Sequence, residues 1–287
     1  GSFLLYRTLS QYSFPQIVEA VRAVPAARLT ASAGFAAASY LCLTLFDFLA
    51  LKYAGRPLAY PRAALASFCS LSLGHNIGLA ALSSGAIRYR FYSGWGLDAQ
   101  HVAKVILFCG VTVGLGLSAL AGIGLLLDPT IAAEISGLSN GAIYALAAAC
   151  CLVPLAYVAL AAFVRRPLHI RSWSFEMPAV GLAAAQVVVG TVNFALVAAC
   201  LHQALAAVAE ASYADVVSAY VTANVATLIT HVPGGAGVIE TVVQHMLPKT
   251  DLIGPLLVFR FTYFLAPLVI GGVTFAIAEL LRRARKD

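Results

Sequence analysis

Residues 212–247 read SYADVVSAYVTANVATLITHVPGGAGVIETVVQHML, and the folding of this stretch decides the architecture. Residues 216–231 give a helix of about 24 Å and residues 238–247 one of about 15 Å. Neither crosses about 30 Å of hydrocarbon alone. Between them lies Pro233-Gly234-Gly235-Ala236-Gly237. Proline ends the incoming helix, and the glycines admit dihedrals that other residues avoid. The stretch therefore reads as a hairpin that enters a membrane and returns, hinged at Pro233, Gly234, Gly235 and Gly237. Non-helical backbone at such depth is tolerated only where protein or a watery cavity satisfies it.

The rest of the chain supports a membrane setting. Of 287 residues, 61% are hydrophobic and 10% charged, with a mean hydropathy of +0.89. A soluble domain carries about 25% charged residues. The fold expected is all-α and integral to the membrane, a polytopic helical bundle forming a single transmembrane domain over 1–287. Full spans are expected at 31–53, 101–127, 138–164, 178–208 and 252–281. Residues 14–28, bracketed by Pro15 and Pro25, read as a short interfacial helix.

Residues 61–92 form a second irregular stretch, bounded by Pro61-Arg62 and by Arg88-Tyr89-Arg90. Gly74, His75, Asn76, Gly78, Ser83, Ser84 and Gly85 lie in its interior. It too reads as a re-entrant hairpin, with Gly85 among its hinge residues. Positive charge alternates between loops: 165–171, the C-terminal tail and the 88–104 region are basic, whereas the loops after 127 and 208 are acidic. The positive-inside rule places the basic side, with the C-terminus, in the cytoplasm, although Arg7, Arg22 and Arg28 then fall outside. The two hairpins then enter from opposite faces, the arrangement of an inverted repeat.

The net charge of +6 is gathered in a few clusters, which suits topology anchors and anionic headgroups and not a nucleic-acid surface. Cys42, Cys69, Cys109, Cys150, Cys151 and Cys200 all fall in apolar runs, without zinc-ligand spacing. No metal, cofactor or catalytic motif is expected: there is no His-Glu-x-x-His pair, nucleophile elbow or phosphate loop.

The residues singled out as substrate contacts are Arg88, Arg90, Tyr89, Glu240, Asn76, Asp47 and His231. Two guanidiniums around a tyrosine suit phosphate, since arginine forks bind its oxygens bidentately. Glu240 sits in the first turn after the glycine tip, stabilised by the helix dipole. Its candidate partners are Arg88, Arg90, Arg260 and His231, and both a structural ion pair and a gate or headgroup contact are open to it. Asp47 suits a pair with Lys52 or Arg56, or a helix cap. His231 and Asn76 lie near the hairpin turns, where a hydrogen-bonded structural role is the commoner one.

Four ordered stretches carry a family resemblance. They are Phe46-Asp47-Phe48-Leu49-Ala50-Leu51 leading to Gly55-Arg56, Gly74-His75-Asn76-Ile77-Gly78, Ser83-Ser84-Gly85-Ala86-Ile87-Arg88-Tyr89-Arg90-Phe91-Tyr92-Ser93, and Pro233-Gly234-Gly235-Ala236-Gly237-Val238-Ile239-Glu240. Together they resemble the transmembrane region of the lysylphosphatidylglycerol synthase family, the multiple peptide resistance factors, and its stand-alone relatives. The resemblance implies a lipid flippase-like domain of the bacterial inner membrane. These 287 residues leave no room for an aminoacyl-transferase domain, so synthase activity is not implied. Three functions follow: translocation of an anionic or aminoacylated phospholipid, a lipid-binding scaffold for a separate lipid-synthesising enzyme or a second copy, and an intramembrane lipid-modifying enzyme. Translocation without enzymatic chemistry is the leading expectation.

Overall fold

A computed structural model of the chain describes residues 15, 18–19, 22, 24–77, 80–130, 132–133, 137–164, 168–170, 173–247 and 252–284. The described residues are almost entirely helical. Five helical stretches are long and apolar enough to cross a membrane: α1 (Ala26–Tyr53), α4 (Ala99–Leu127), α5 (Asn140–Phe163), α6 (Val180–Leu205) and Ile253–Arg283. They coincide with the five expected spans, and the protein is an all-α polytopic membrane protein. Of the interfacial helix expected at 14–28, the described residues Pro15, Val18, Glu19 and Arg22 are helical. Its last three positions belong to α1, which starts after Pro25.

The two irregular stretches are helical hairpins. The first pairs α2 (Tyr60–Ile77) with α3 (Ala80–Gly94), and the second pairs α7 (Tyr213–Thr230) with α8 (Val238–Met246). The 18 residues of α7 span about 27 Å and the nine of α8 about 14 Å, so the second hairpin cannot cross and go on. In the first hairpin α2 ends at Ile77 and α3 begins at Ala80. Gly85 is therefore not a hinge: it lies inside α3, buried against Ile106. The connection between α5 and α6 holds a small antiparallel hairpin, β1 (Leu168–Ile170) and β2 (Trp173–Phe175), which hydropathy does not reveal. Arg165, Arg166 and Arg171 lie outside the described residues.

At the centre α1 and α6 run antiparallel. Arg28 donates to Gln203 at 2.9 Å at one end and the Ser39 hydroxyl to Asn193 at 2.7 Å midway. At the other end the Tyr53 hydroxyl donates to the Glu176 carbonyl at 2.7 Å. Each hairpin begins with a tyrosine anchored on the helix before it. Tyr60 meets the Thr44 hydroxyl at 2.8 Å, and Tyr213 donates to the Ala195 carbonyl at 2.8 Å. Because α1 and α6 point in opposite directions, the two hairpins open at opposite ends of the bundle.

The halves of the chain repeat at a spacing of 153 residues, from Tyr60 to Tyr213 and from Ile77 to Thr230. Under this exchange α1 maps to α6, the hairpins map to each other, and α4 maps to Ile253–Arg283. The packing follows the exchange. Helix α2 lies on α10 (Ala266–Arg283), where Ser72 fills the space beside Gly271, and α7 lies on α4, where Val217 sits over Gly124. Buried side chains obey it too: Asp47 and Cys109 touch in the first half, and their counterparts Cys200 and Thr262 touch in the second. This antiparallel self-similarity is the inverted repeat.

A close backbone approach joins α4 to α6 through Gly116 and Gly190, where any Cβ would strike the facing main chain. Small residues at such crossings let backbones meet where no hydrophobic effect drives helices together. Gln186 fastens the same region, donating to the Phe108 carbonyl at 3.2 Å and to Thr112 at 3.0 Å while accepting from Tyr157 at 2.7 Å. Helix α5 is buried over little of its surface and presents leucines outward, as a lipid-facing helix does.

Candidate functional site

The end of α2 meets the tip of the second hairpin, which is built around glycine. Helix α7 is capped by His231, in left-handed conformation with φ 54°. Pro233–Gly235 make one 3-10 turn, and Gly234, Gly235 and Gly237 have φ of 57°, 58° and 80°. A side chain at Gly235 would also meet the Thr227 hydroxyl at 2.7 Å. Helix α8 then starts, and Glu240 turns back so that its carboxylate accepts from the Gly237 N–H at 2.8 Å.

Arg260, at the end of α9 (Ile253–Arg260), holds this tip. Its Nε donates to Glu240 Oε1 at 2.5 Å and its Nη2 to Glu240 Oε2 at 2.9 Å. Nη1 donates to the Gly234 carbonyl at 2.5 Å and Nη2 to the Gly235 carbonyl at 2.7 Å, and the guanidinium lies over Phe264. The Arg260 side chain is 5% exposed and that of Glu240 18%. One planar fork thus satisfies a carboxylate and the two carbonyls that the turn leaves without helical partners. That geometry suits arginine and not lysine.

Just beyond Arg260 the helix widens into a π-turn, Phe261–Leu265, before Pro267. Proline cannot donate to the preceding turn. Neighbouring helices supply donors: Tyr40 donates to the Tyr263 carbonyl at 3.2 Å and Asn76 to the Phe264 carbonyl at 3.3 Å. Asn76 also donates to the Ser72 carbonyl at 2.9 Å. The first hairpin therefore ends against the π-turn, with the His75 carbonyl facing Gly234 across the junction.

A second buried pair joins the first hairpin to α1. Arg88 Nε donates to both oxygens of Asp47, at 2.9 and 3.1 Å, and the Cys109 thiol donates to Asp47 at 3.2 Å. Nearby, the Tyr92 hydroxyl is fully buried beside Asp47. In the second repeat this place is neutral: Ser32 lies 3.2 Å from Cys200 and 3.4 Å from Thr262. Neither half reproduces the other's charges, since Arg260 and Glu240 stand where the first repeat has Leu107 and Ile87.

Several sequence expectations need correcting. Arg88 and Arg90 do not converge: two residues apart on a helix, they point to different sides. Arg88 is buried on Asp47, and Arg90 reaches the surface and pairs with Glu279. Asp47 pairs with Arg88 instead of Lys52 or Arg56. Of the partners considered for Glu240, Arg260 is the one that holds it. His231 is exposed, and its ring lies beside the Ile229 carbonyl, away from Arg260. Tyr89 is half exposed beside Arg90, remote from the tip junction. Among the described residues no cluster of His, Cys, Asp or Glu could hold a metal, and their cysteines are free thiols. Arg260 is one of the four partners expected for Glu240, and a lone arginine in the apolar run after 252 is the signal that marks it.

No family model matches the chain. It is 28% identical over 282 residues to the uncharacterized protein slr0712 of Synechocystis, covering 97% of this chain and 88% of that protein. It is 25% identical over 283 residues to the inner membrane protein YbhN of Escherichia coli, covering 96% of this chain and 88% of that one. Both matches run through the two hairpins and all five spans.

Proposed function

We propose that this protein moves phospholipid headgroups between the leaflets of a bacterial inner membrane, without enzymatic chemistry. One observation carries the reading. Two hairpins open at opposite ends, the end of α2 meets the tip of the second, and the junction is held by Arg260, a cation whose ligands are a carboxylate and two turn carbonyls. Irregular backbone and charge at mid-depth are costly and mark pathways in membrane transporters. The motif resemblance to the flippase region and the likeness to an inner membrane protein support the same reading.

In this conformation the junction is closed, with Arg260 engaged by all three of its nitrogens. A headgroup phosphate offers oxygens that can replace the Gly234 and Gly235 carbonyls and the Glu240 carboxylate on the same fork. Exchange of those ligands would release the second tip, and only the polar head needs an aqueous path while acyl tails stay in the bilayer. Which lipid is carried, anionic or aminoacylated, then depends on whether the freed Glu240 attracts a cationic head. The excess of basic residues at the α1 C-terminal end of the bundle favours a cytoplasmic C-terminus.

The test is leaflet exchange of labelled phospholipid in vesicles containing the purified protein. Exchange above that of empty vesicles is expected, falling to their level in Arg260→Lys, which keeps the charge and loses the fork. Wild-type protein no faster than empty vesicles, or a folded Arg260→Lys at full rate, defeats the proposal. The closed junction is also what a lipid-binding scaffold for a separate lipid-synthesising enzyme or a second copy would show. Binding without exchange would favour that second reading.

A further inference from the structure

A separate feature lies at the basic end of the bundle, where α3 and α10 finish side by side. There a cleft of about 420 Å³ is lined by Tyr89, Arg90, Ser93, Glu279, Arg282 and Arg283. Three guanidiniums face one carboxylate. Arg90 chelates Glu279, Arg283 lies 3.7 Å from the same carboxylate, and Arg282 donates to the Arg90 carbonyl at 2.9 Å. Gly94 makes room for Arg282, whose guanidinium occupies the space of a missing Cβ. Among the described residues the cleft thus keeps an excess of positive charge, three guanidiniums against one carboxylate, and Arg283 is 74% exposed.

Its apolar surroundings point to the ligand. Val269, Val273 and Leu280 are exposed at helical spacing along α10 and lead up to Arg283, and the exposed Leu82 lies two turns before Tyr89 on the same face of α3. A soluble anion has no use for such a stripe, whereas a phospholipid lays its acyl chains along it and sets its phosphate among guanidinium forks. Tyr89, half exposed at the rim, has the amphipathic character of residues at headgroup depth.

We infer that this cleft is a binding site for an anionic glycerophospholipid of the adjacent leaflet, separate from the tip junction and independent of translocation. Glu279 sets its strength: it orders Arg90 and cancels one charge, which keeps the site selective for anionic over zwitterionic heads without saturating it.

Equilibrium binding tests this, by native mass spectrometry of the detergent-solubilised full chain titrated with phosphatidylglycerol or phosphatidylcholine. Phosphatidylglycerol should bind more tightly. Arg283→Ala, at an exposed position, should weaken it about fivefold, the worth of one basic residue near an anionic surface. Glu279→Gln should strengthen it by a similar factor, a gain that misfolding cannot produce. Equal binding of the two lipids, displacement of phosphatidylglycerol by inorganic phosphate at equal concentration, or unchanged affinity in both variants overturns the inference. A protein that exchanges no lipid and still binds phosphatidylglycerol in this way refutes translocation alone.

Discussion

Arg260 shows how one side chain can stand in for a stretch of secondary structure. The turn at Pro233–Gly235 leaves carbonyls with no helical partner, and burying them unpaired costs about 1–3 kcal/mol each. The guanidinium meets two of them and the Glu240 carboxylate at once. Removing one member of such a pair strands the other. Arg260→Ala should destabilise the protein by about 3 kcal/mol, the low end for buried pairs because Glu240 retains some solvent contact. Replacing both residues with apolar ones, Arg260→Met with Glu240→Leu, should cost less than the single change. Chemical unfolding in a fixed detergent compares the two, and a double variant weaker than Arg260→Ala would remove the ion pair from its assigned role.

Elements owe their limits to short-range chemistry that the sequence already displays. Helix α4 starts at Asp98, whose carboxylate accepts from the His101 N–H at 2.9 Å, and α7 starts at Ser212 with a reciprocal bond to Asp215. Such caps satisfy donors that the first turn leaves open. The His101 backbone bond, with the His101 ring beside it, holds the Asp98 carboxyl below its ordinary range. A lowered folded pKa means that the stabilisation is present above the unfolded value and fades as pH falls through the folded one. The melting temperatures of wild type and Asp98→Ala should therefore differ at neutral pH and draw together below about pH 4. A difference that persists or grows on acidification would show that Asp98 acts otherwise. The π-turn at Phe261–Leu265 obeys longer-range terms: Pro267 withholds a donor, but Tyr40 and Asn76 come from helices far away in sequence.

For the molecule as a whole, the antiparallel α1–α6 pair fixes which ends share a side. One end gathers Lys52, Arg56, Arg62, Arg90, Lys104, Arg282 and Arg283 against Asp98, Glu176 and Glu279. The other joins Arg28 to Asp128, Glu210 and Asp215. Arg28, on the less basic side, is tied to Gln203, so it serves the α1–α6 contact as well as topology. A fluorescent protein fused after the last residue should fold and fluoresce in a bacterial host, while a periplasmic phosphatase at the same place should stay inactive. The opposite pattern would invert the orientation proposed here.

Composition and hydropathy by themselves determined that the chain lives in a membrane, where its five spans fall, and that 61–92 and 212–247 turn back. Those properties depend on neighbours within a few turns: apolar length against bilayer thickness, and proline or glycine where the backbone must depart from the helix. Which charges meet was decided only in three dimensions. Asp47 reaches Arg88 and not the nearby Lys52, and Glu240 takes Arg260 and not Arg88, because pairing follows the antiparallel packing of repeats 153 residues apart, from Tyr60 to Tyr213. Arg88 and Arg90 look like one motif on the page, yet a helix turns about 200° over two residues and sends one inward and one out. Charge is dear inside a bilayer and must be matched wherever the fold brings a partner, and that position is a property of the packed halves together.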